Sequence, residues 1–287
     1  MDPLVQALIM GITQGLTEFL PVSSSGHLIV VPFLLGFDDP FIDSLAFSVL
    51  LHIATLVALL IYFRSDWLRL VPAGLAAIRD RSLRADPVGP PDPERRLAWL
   101  LVVATIPAVI AGVLLNDVIE SNVRSPGLVA VMLVIGGAVL WLADRAGRHN
   151  REVGDVTFPL AFGIGVAQAF ALVPGISRSG ISIAAGLFAG LTREAAARFS
   201  FLMATPVIAG AGAWETLKLI RGEGGVEVSL GPLAVGMAAA LVAGLAAIEV
   251  TLRYLRSHPV TVFALYRVAV AIVVFVAWIG LWNRTGG

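Results

Sequence analysis

The chain contains no cysteine, which excludes a disulfide framework, a thiol nucleophile and a thiolate metal site. Charge is scarce as well: Asp, Glu, Lys and Arg make up 14% of the 287 residues, and the formal net charge is zero. Soluble domains carry about one-quarter charged residues. In place of charge, 57% of the residues are hydrophobic and the mean hydropathy is +0.88. A water-soluble core cannot bury that much apolar surface at this length, whereas a bilayer accepts helices that satisfy their own backbone groups. A nucleotide P-loop, a dinucleotide fingerprint and an HExxH metal motif are also missing, so nothing supports ATP-driven work. The start does not read as a cleavable signal, because Met1-Asp2-Pro3 has no basic residue and the apolar run after it holds Gln14 and Glu18.

A spanning helix needs roughly 20 mostly apolar residues. Six stretches meet that length, at about 43–63, 97–115, 126–143, 199–219, 231–252 and 260–282. The connections are 64–96, 116–125, 144–157, 220–230 and 253–259. The longest, 64–96, holds seven arginines and reads as an exposed cytoplasmic loop with some amphipathic helix.

Two further apolar stretches are interrupted. Residues 4–37 are broken by Pro21-Val22-Ser23-Ser24-Ser25-Gly26-His27, and residues 158–191 by Pro174-Gly175-Ile176-Ser177-Arg178-Ser179-Gly180. After the first break only about ten residues remain, or roughly 15 Å of helix, half a bilayer. Each stretch therefore reads as a re-entrant helix pair that enters, turns at a polar loop and leaves on the same side. The two also resemble each other: a shift of 154 positions aligns Gly11 with Gly165, Gln14 with Gln168, Ser23 with Ser177, Ser25 with Ser179, Gly26 with Gly180 and Gly36 with Gly190. The fold expected is all-α: one membrane domain over 1–287, six transmembrane helices and two re-entrant pairs, in repeats at about 1–143 and 158–287. Three spans per half is an odd number, so the repeats must be inverted. Fourteen Lys and Arg fall on one side by this topology, against Arg124, Lys218, Arg221 and Arg284 on the other. That bias marks the richer side as cytoplasmic and places both termini outside.

Glu18 is the only formal charge in 3–37, and Arg178 the only one in 158–191. Ionisable groups at bilayer depth are costly and mark function. Gln14 and Glu18 are four apart and share a helix face, where two oxygen-bearing side chains could hold Mg²⁺ or Ca²⁺ or could serve only as interhelical contacts. Ser23, Ser24 and Ser25 precede a short helix, where hydroxyls and free N–H groups bind phosphate. Ser24 or Ser25 with His27 also supplies a nucleophile and a base, although serine caps helices for purely structural reasons too. Arg178, between Ser177 and Ser179, presents a planar fork suited to phosphate. His52 reads as a hydrogen-bonded helix contact, with a place lining the cavity as the alternative. His149 and His258 read as surface residues. Arg267 and Glu249, in the last two spans, read as structural residues that could pair within the bundle. Gly11-x-x-x-Gly15 allows close helix packing.

The run Gln14-Gly15-Leu16-Thr17-Glu18-Phe19-Leu20-Pro21-Val22-Ser23-Ser24-Ser25-Gly26-His27-Leu28 closely resembles the first signature of the undecaprenyl-diphosphate phosphatase family, the bacitracin-resistance type. Pro174-Gly175-Ile176-Ser177-Arg178-Ser179-Gly180-Ile181-Ser182 resembles the second. The resemblance implies hydrolysis of undecaprenyl diphosphate to the monophosphate and inorganic phosphate, which recycles the lipid carrier for peptidoglycan synthesis and confers bacitracin resistance. It implies a divalent cation, Mg²⁺ or Ca²⁺, held by Glu18 and Gln14. It also implies a phosphate clamp of Arg178 with Ser177 and Ser179, and Ser24 as nucleophile assisted by Ser23 and Ser25. His27 would be the base of Ser24 or the alternative nucleophile. The expected setting is the bacterial cytoplasmic (inner) membrane with the site opening to the outer face. Membrane lipid is an expected partner and nucleic acid is not; a homodimer is the candidate assembly. Two positions depart from the family pattern: Gln14 stands where many members carry Glu, and Ser182 where Thr is frequent. A lipid-phosphate transporter or flippase using the same site is the alternative function.

Overall fold

In the computed structural model the described residues are 1–84, 90–122, 125–221 and 228–285. Arg124, counted above on the outer side, lies outside them. Among the described residues the regular structure is helical, with eleven α-helices. Six are long and apolar enough to cross a membrane: α3 (Leu45–Tyr62), α5 (Pro93–Asn122), α6 (Pro126–Ala146), α9 (Arg193–Ile220), α10 (Leu230–Leu255) and α11 (Thr261–Thr285). They match the six predicted spans and make the chain a multi-pass membrane protein. Their surface carries many large apolar side chains, such as Val113 and Val242, as a helix facing lipid requires.

The remaining helices are shorter. α1 (Pro3–Phe19) and α2 (Ser24–Leu35) flank the first predicted break, and α7 (Phe158–Ala169) and α8 (Arg178–Phe188) flank the second. Asp2 caps α1 by accepting from the Leu4 N–H, and Pro3 follows at the first helical position, where its missing donor costs nothing. α4 (Arg64–Arg79) follows α3 directly, so the first half of the expected 64–96 loop is a continuous amphipathic helix. α5 starts at Pro93 and continues to Asn122, past the predicted end at 115.

The two broken segments share backbone detail at the 154-residue spacing. Ser23 and Ser177 both have positive φ, 81° and 76°, in a region that non-glycine residues enter at about 1–3 kcal/mol. Each caps the helix that follows: Ser23 Oγ accepts from the Gly26 N–H and Ser177 Oγ from the Gly180 N–H. Packing partners correspond too. α1 lies along α10, and α7 along α5. A Cβ added to Gly11 would sit 2.2 Å from the Gly236 carbonyl oxygen on α10, and one on Gly165 2.2 Å from the Ala104 oxygen on α5. Any side chain at either position would push the paired backbones apart, so the predicted close packing at Gly11 is present.

Arg267 and Glu249 do not pair, although the sequence allows it. α10 packs chiefly on α1 and α3, and α11 chiefly on α6, so the two residues occupy different seams. Glu249 is exposed and accepts from the Tyr62 hydroxyl at 2.6 Å. Arg267 is fully buried. Its guanidinium donates to the carbonyls of Gly175 (2.7 Å), Ile176 (2.8 Å) and Leu133 (3.1 Å), with longer contacts to Met132 (3.4 Å) and Pro21 (3.5 Å). It thus ties the polar turns of both broken segments to α6.

Candidate active site

The capped turns place the first residue of α2, Ser24, and the first residue of α8, Arg178, at one carboxylate. Ser24 Oγ donates to Glu18 Oε2 at 2.6 Å, and an Arg178 N–H donates to Glu18 Oε1 at 3.2 Å. Glu18 is almost fully buried near the end of α1. A buried carboxylate is stable only with such partners. Gln14, one turn earlier, donates from Nε2 to the same Oε2 at 3.1 Å, while its own Oε1 has no hydrogen-bond donor among the described residues. Arg178 also reaches the Ser200 carbonyl at 3.3 Å, leaving its buried Nε–H unpaired.

The neighbouring hydroxyls brace this centre. Ser23 and Ser25 are 3.4 Å apart, and Ser177 and Ser179 are 3.3 Å apart. Ser179 donates to the Leu20 carbonyl at 3.2 Å, which joins the second broken segment to the first. Ser182 meets Ser200 at 2.6 Å. Glu18, Ser24, Gln14 and Arg178 therefore meet in one cluster, with the other serines beside them.

His27 lies next to the cluster, but its ring nitrogens are engaged elsewhere. Nδ1 is 2.7 Å from the Ser23 carbonyl, which can only accept, so Nδ1 carries a proton. In the neutral ring Nε2 is then an acceptor, and the Tyr266 hydroxyl 3.0 Å away donates to it. The two rings stack with centroids 5.7 Å apart. The hydroxyl of Ser24 is held by Glu18 and not by His27.

One site residue was read only as an alternative, and another escaped the sequence reading. His52, taken mainly as a helix contact, does bond the Ser48 carbonyl through Nδ1, but its Nε2 lies 3.5 Å from Glu18 Oε2. Tyr266 gave no sequence signal, since one tyrosine in an apolar span is unremarked until its partner 239 positions away is known.

The chain over residues 7–273 matches the model of the bacitracin resistance protein BacA family. The chain belongs to the BacA family. It is 45% identical over 271 residues to the undecaprenyl-diphosphatase of Desulforudis audaxviator, which covers 94% of this chain and 96% of that protein. It is 44% identical to the undecaprenyl-diphosphatase of Rubrobacter xylanophilus (94% and 97% covered) and 43% identical to that of Thermomicrobium roseum (93% and 95%). This BacA-family chain therefore matches these relatives over more than nine-tenths of its length.

Among the described residues no three His, Asp or Glu side chains gather as a metal cluster. The donors at the centre are mostly oxygens, the Glu18 carboxylate, the Ser24 hydroxyl and the unpaired Gln14 Oε1, with the imidazole Nε2 of His52 beside them. That set fits a hard cation of the Mg²⁺ kind, which takes one or two carboxylates and completes its shell with water and substrate phosphate. It does not fit a softer metal that needs several nitrogen ligands.

Proposed function

We propose that this protein hydrolyses undecaprenyl diphosphate to undecaprenyl phosphate and inorganic phosphate at the Glu18–Ser24–Arg178 centre. The reading rests above all on the 2.6 Å bond from Ser24 to a carboxylate that Arg178 also holds. That arrangement is a hydroxyl nucleophile on its base, with a cation beside both. The names of the relatives point to the same reaction.

The residues divide the work. Arg178 leaves Glu18 for the diphosphate and neutralises the charge on its equatorial oxygens, which is the main demand of phosphoryl transfer. Glu18 Oε2 takes the proton from Ser24 Oγ as that oxygen attacks the terminal phosphorus. The bond from phosphorus to the bridging oxygen breaks, and the lipid monophosphate leaves with the proton that Glu18 hands to that oxygen. Water then attacks the phosphoserine, giving a proton to the regenerated Glu18 carboxylate; the phosphorus–Oγ bond breaks, phosphate departs and Glu18 returns the proton to Ser24 Oγ. His27, held by Ser23 and Tyr266, borders the reacting groups and fixes the turn that carries Ser24. A bound Mg²⁺ or Ca²⁺, held by Glu18 and Gln14, would polarise the phosphate oxygens and lower the negative charge of the diphosphate.

The setting we infer is the bacterial inner membrane, with two re-entrant pairs in inverted repeats and the site open to the outer face. The paired local geometry of the two turns and the arginine-rich 64–96 segment support it. A polar centre between lipid-facing spans suits a substrate whose prenyl chain stays in the bilayer, and carrier recycling with bacitracin resistance is its consequence. The test is phosphate release from undecaprenyl diphosphate by purified protein, with Mg²⁺, with Ca²⁺ and with EDTA. Release that depends on the cation and is lost in Ser24→Ala is expected. No release by folded protein with either cation would overturn the assignment.

A further inference from the structure

Two histidines border the centre, and both are oriented in the same way. In each, Nδ1 lies 2.7 Å from the carbonyl four residues earlier, that of Ser23 for His27 and that of Ser48 for His52. A carbonyl only accepts, so both Nδ1 atoms carry a proton, and Nε2 of each neutral ring presents a lone pair. From there the two differ. Nε2 of His27 receives the Tyr266 hydroxyl. Nε2 of His52 receives no donor among the described residues; it faces Glu18 Oε2 at 3.5 Å, which is itself an acceptor.

Two lone pairs turned on each other repel unless a positive centre lies between them. A proton on Nε2 fits poorly. A charged N–H contracts to about 2.7–2.9 Å on a carboxylate, and Oε2 is already met by Ser24 Oγ at 2.6 Å and by Gln14 Nε2 at 3.1 Å. A divalent ion fits better. Two ligands held about 2.1 Å from one ion and about 90–110° apart lie roughly 3.0–3.4 Å from each other, close to the separation of Nε2 and Oε2. Histidines that ligate metals also almost always donate their other ring N–H to a fixed acceptor, as His52 does to Ser48. Gln14 adds a further oxygen, because its Oε1 is buried without a donor one turn from Glu18. Turning that amide over gives the oxygen to the ion and frees the place on Glu18 Oε2 that Gln14 Nε2 holds.

Building on the reading of this centre as one that takes a divalent cation, we propose that His52 Nε2 is a ligand of that cation, beside Glu18 Oε2 and Gln14 Oε1. The nitrogen changes which ions the site prefers. Ca²⁺ takes oxygen ligands, whereas first-row divalent metals accept nitrogen and oxygen together. His52 therefore biases the centre away from Ca²⁺ and toward ions of the Mn²⁺ kind.

The test is electron spin-echo spectroscopy of the purified full chain loaded with Mn²⁺ alone. Wild type is expected to show modulation from a directly bound nitrogen, which His27→Gln retains and His52→Gln abolishes. His52→Gln, which offers an amide oxygen in place of the ring nitrogen, should also lower the preference for Mn²⁺ over Ca²⁺ about tenfold, the least that even an outer partner of a metal ligand is usually worth. Mn²⁺ bound to wild type without nitrogen modulation would overturn the proposal. So would modulation that survives His52→Gln, or the absence of bound Mn²⁺. Phosphate release by the same preparation keeps the two readings apart: cation-dependent release without nitrogen modulation leaves the hydrolysis standing and removes His52 from the metal.

Discussion

Ser24 and Arg178 stand 154 positions apart at the first residue of α2 and of α8, and they grip opposite oxygens of the Glu18 carboxylate. Equivalent backbone positions thus deliver a nucleophile and a cation to one acid.

Glu18→Gln keeps the shape of that acid but removes the base. Phosphate release is expected to fall by about 10²–10⁴, the usual worth of general base catalysis. Arg178→Lys retains charge without the planar fork and is expected to lose about 10²-fold or more. Steady-state release by detergent-purified variants measures both. Near wild-type turnover in Glu18→Gln would remove Glu18 from the chemistry.

Tyr266→Phe takes away only the hydroxyl that occupies His27 Nε2. The expected loss in turnover is about fivefold, from one hydrogen bond, with a larger loss in His27→Ala. If Tyr266 acts through His27, the double variant should be no worse than His27→Ala alone, so a double-mutant cycle on kcat decides it. Additive losses would mean that the pair is not coupled.

Arg267→Ala leaves the carbonyls of Gly175, Ile176 and Leu133 without their buried donor. Unsatisfied buried groups cost about 1–3 kcal/mol each, so a drop in melting temperature of several degrees in detergent is expected, with release lost at lower temperature than in wild type. Gly11→Val should show the same thermal loss by forcing α1 from α10. Unchanged melting of either variant contradicts the packing described.

His149 lies beyond the end of α6, half-buried, with Nε2 3.8 Å from Asp144 Oδ1. Burial holds its pKa below the ordinary 6.5, and the Arg193 guanidinium lowers it further, against the opposing pull of Asp144. The unfolded chain therefore binds this proton more readily than the folded one. The stability that His149 contributes is present above about pH 6.5 and is lost as pH falls toward its folded value. Melting temperature followed from pH 8 to 5 should decline less in His149→Gln than in wild type. Parallel curves would exclude this residue as a source of acid sensitivity.

The spans and the cluster were legible in the sequence for different reasons. Six apolar runs identify themselves because a bilayer demands length and hydropathy, and Glu18 and Arg178 stand out as isolated charges in apolar surroundings. The polar turns were visible through Pro21, Pro174 and their serines. What escaped depends on contacts between distant elements. Nothing local distinguishes an arginine that meets a carboxylate, the pairing that was open to Arg267, from one that meets backbone carbonyls. His52 could be read as a helix contact because its Nδ1 bond to Ser48 is local, while its approach to Glu18 is set by how α3 packs on α1. Some amphipathic helix was read in 64–96, and the arginines and prolines hid only its extent, sixteen continuous residues from Arg64 to Arg79.

The position of Arg267 in the chain bears on how the protein is made. Synthesis runs from the N-terminus, and Pro21, in the first polar turn, precedes by 246 residues the arginine that reaches it. The second turn, at Gly175 and Ile176, also waits for that side chain. Both turns are therefore translated and threaded into the membrane before their clasp exists, and insertion of α11 is the event that locks them. A chain that stops before this helix carries Glu18, Ser24 and Arg178 but not the arginine that joins their two turns, so the support of the centre is the last part of it to be made.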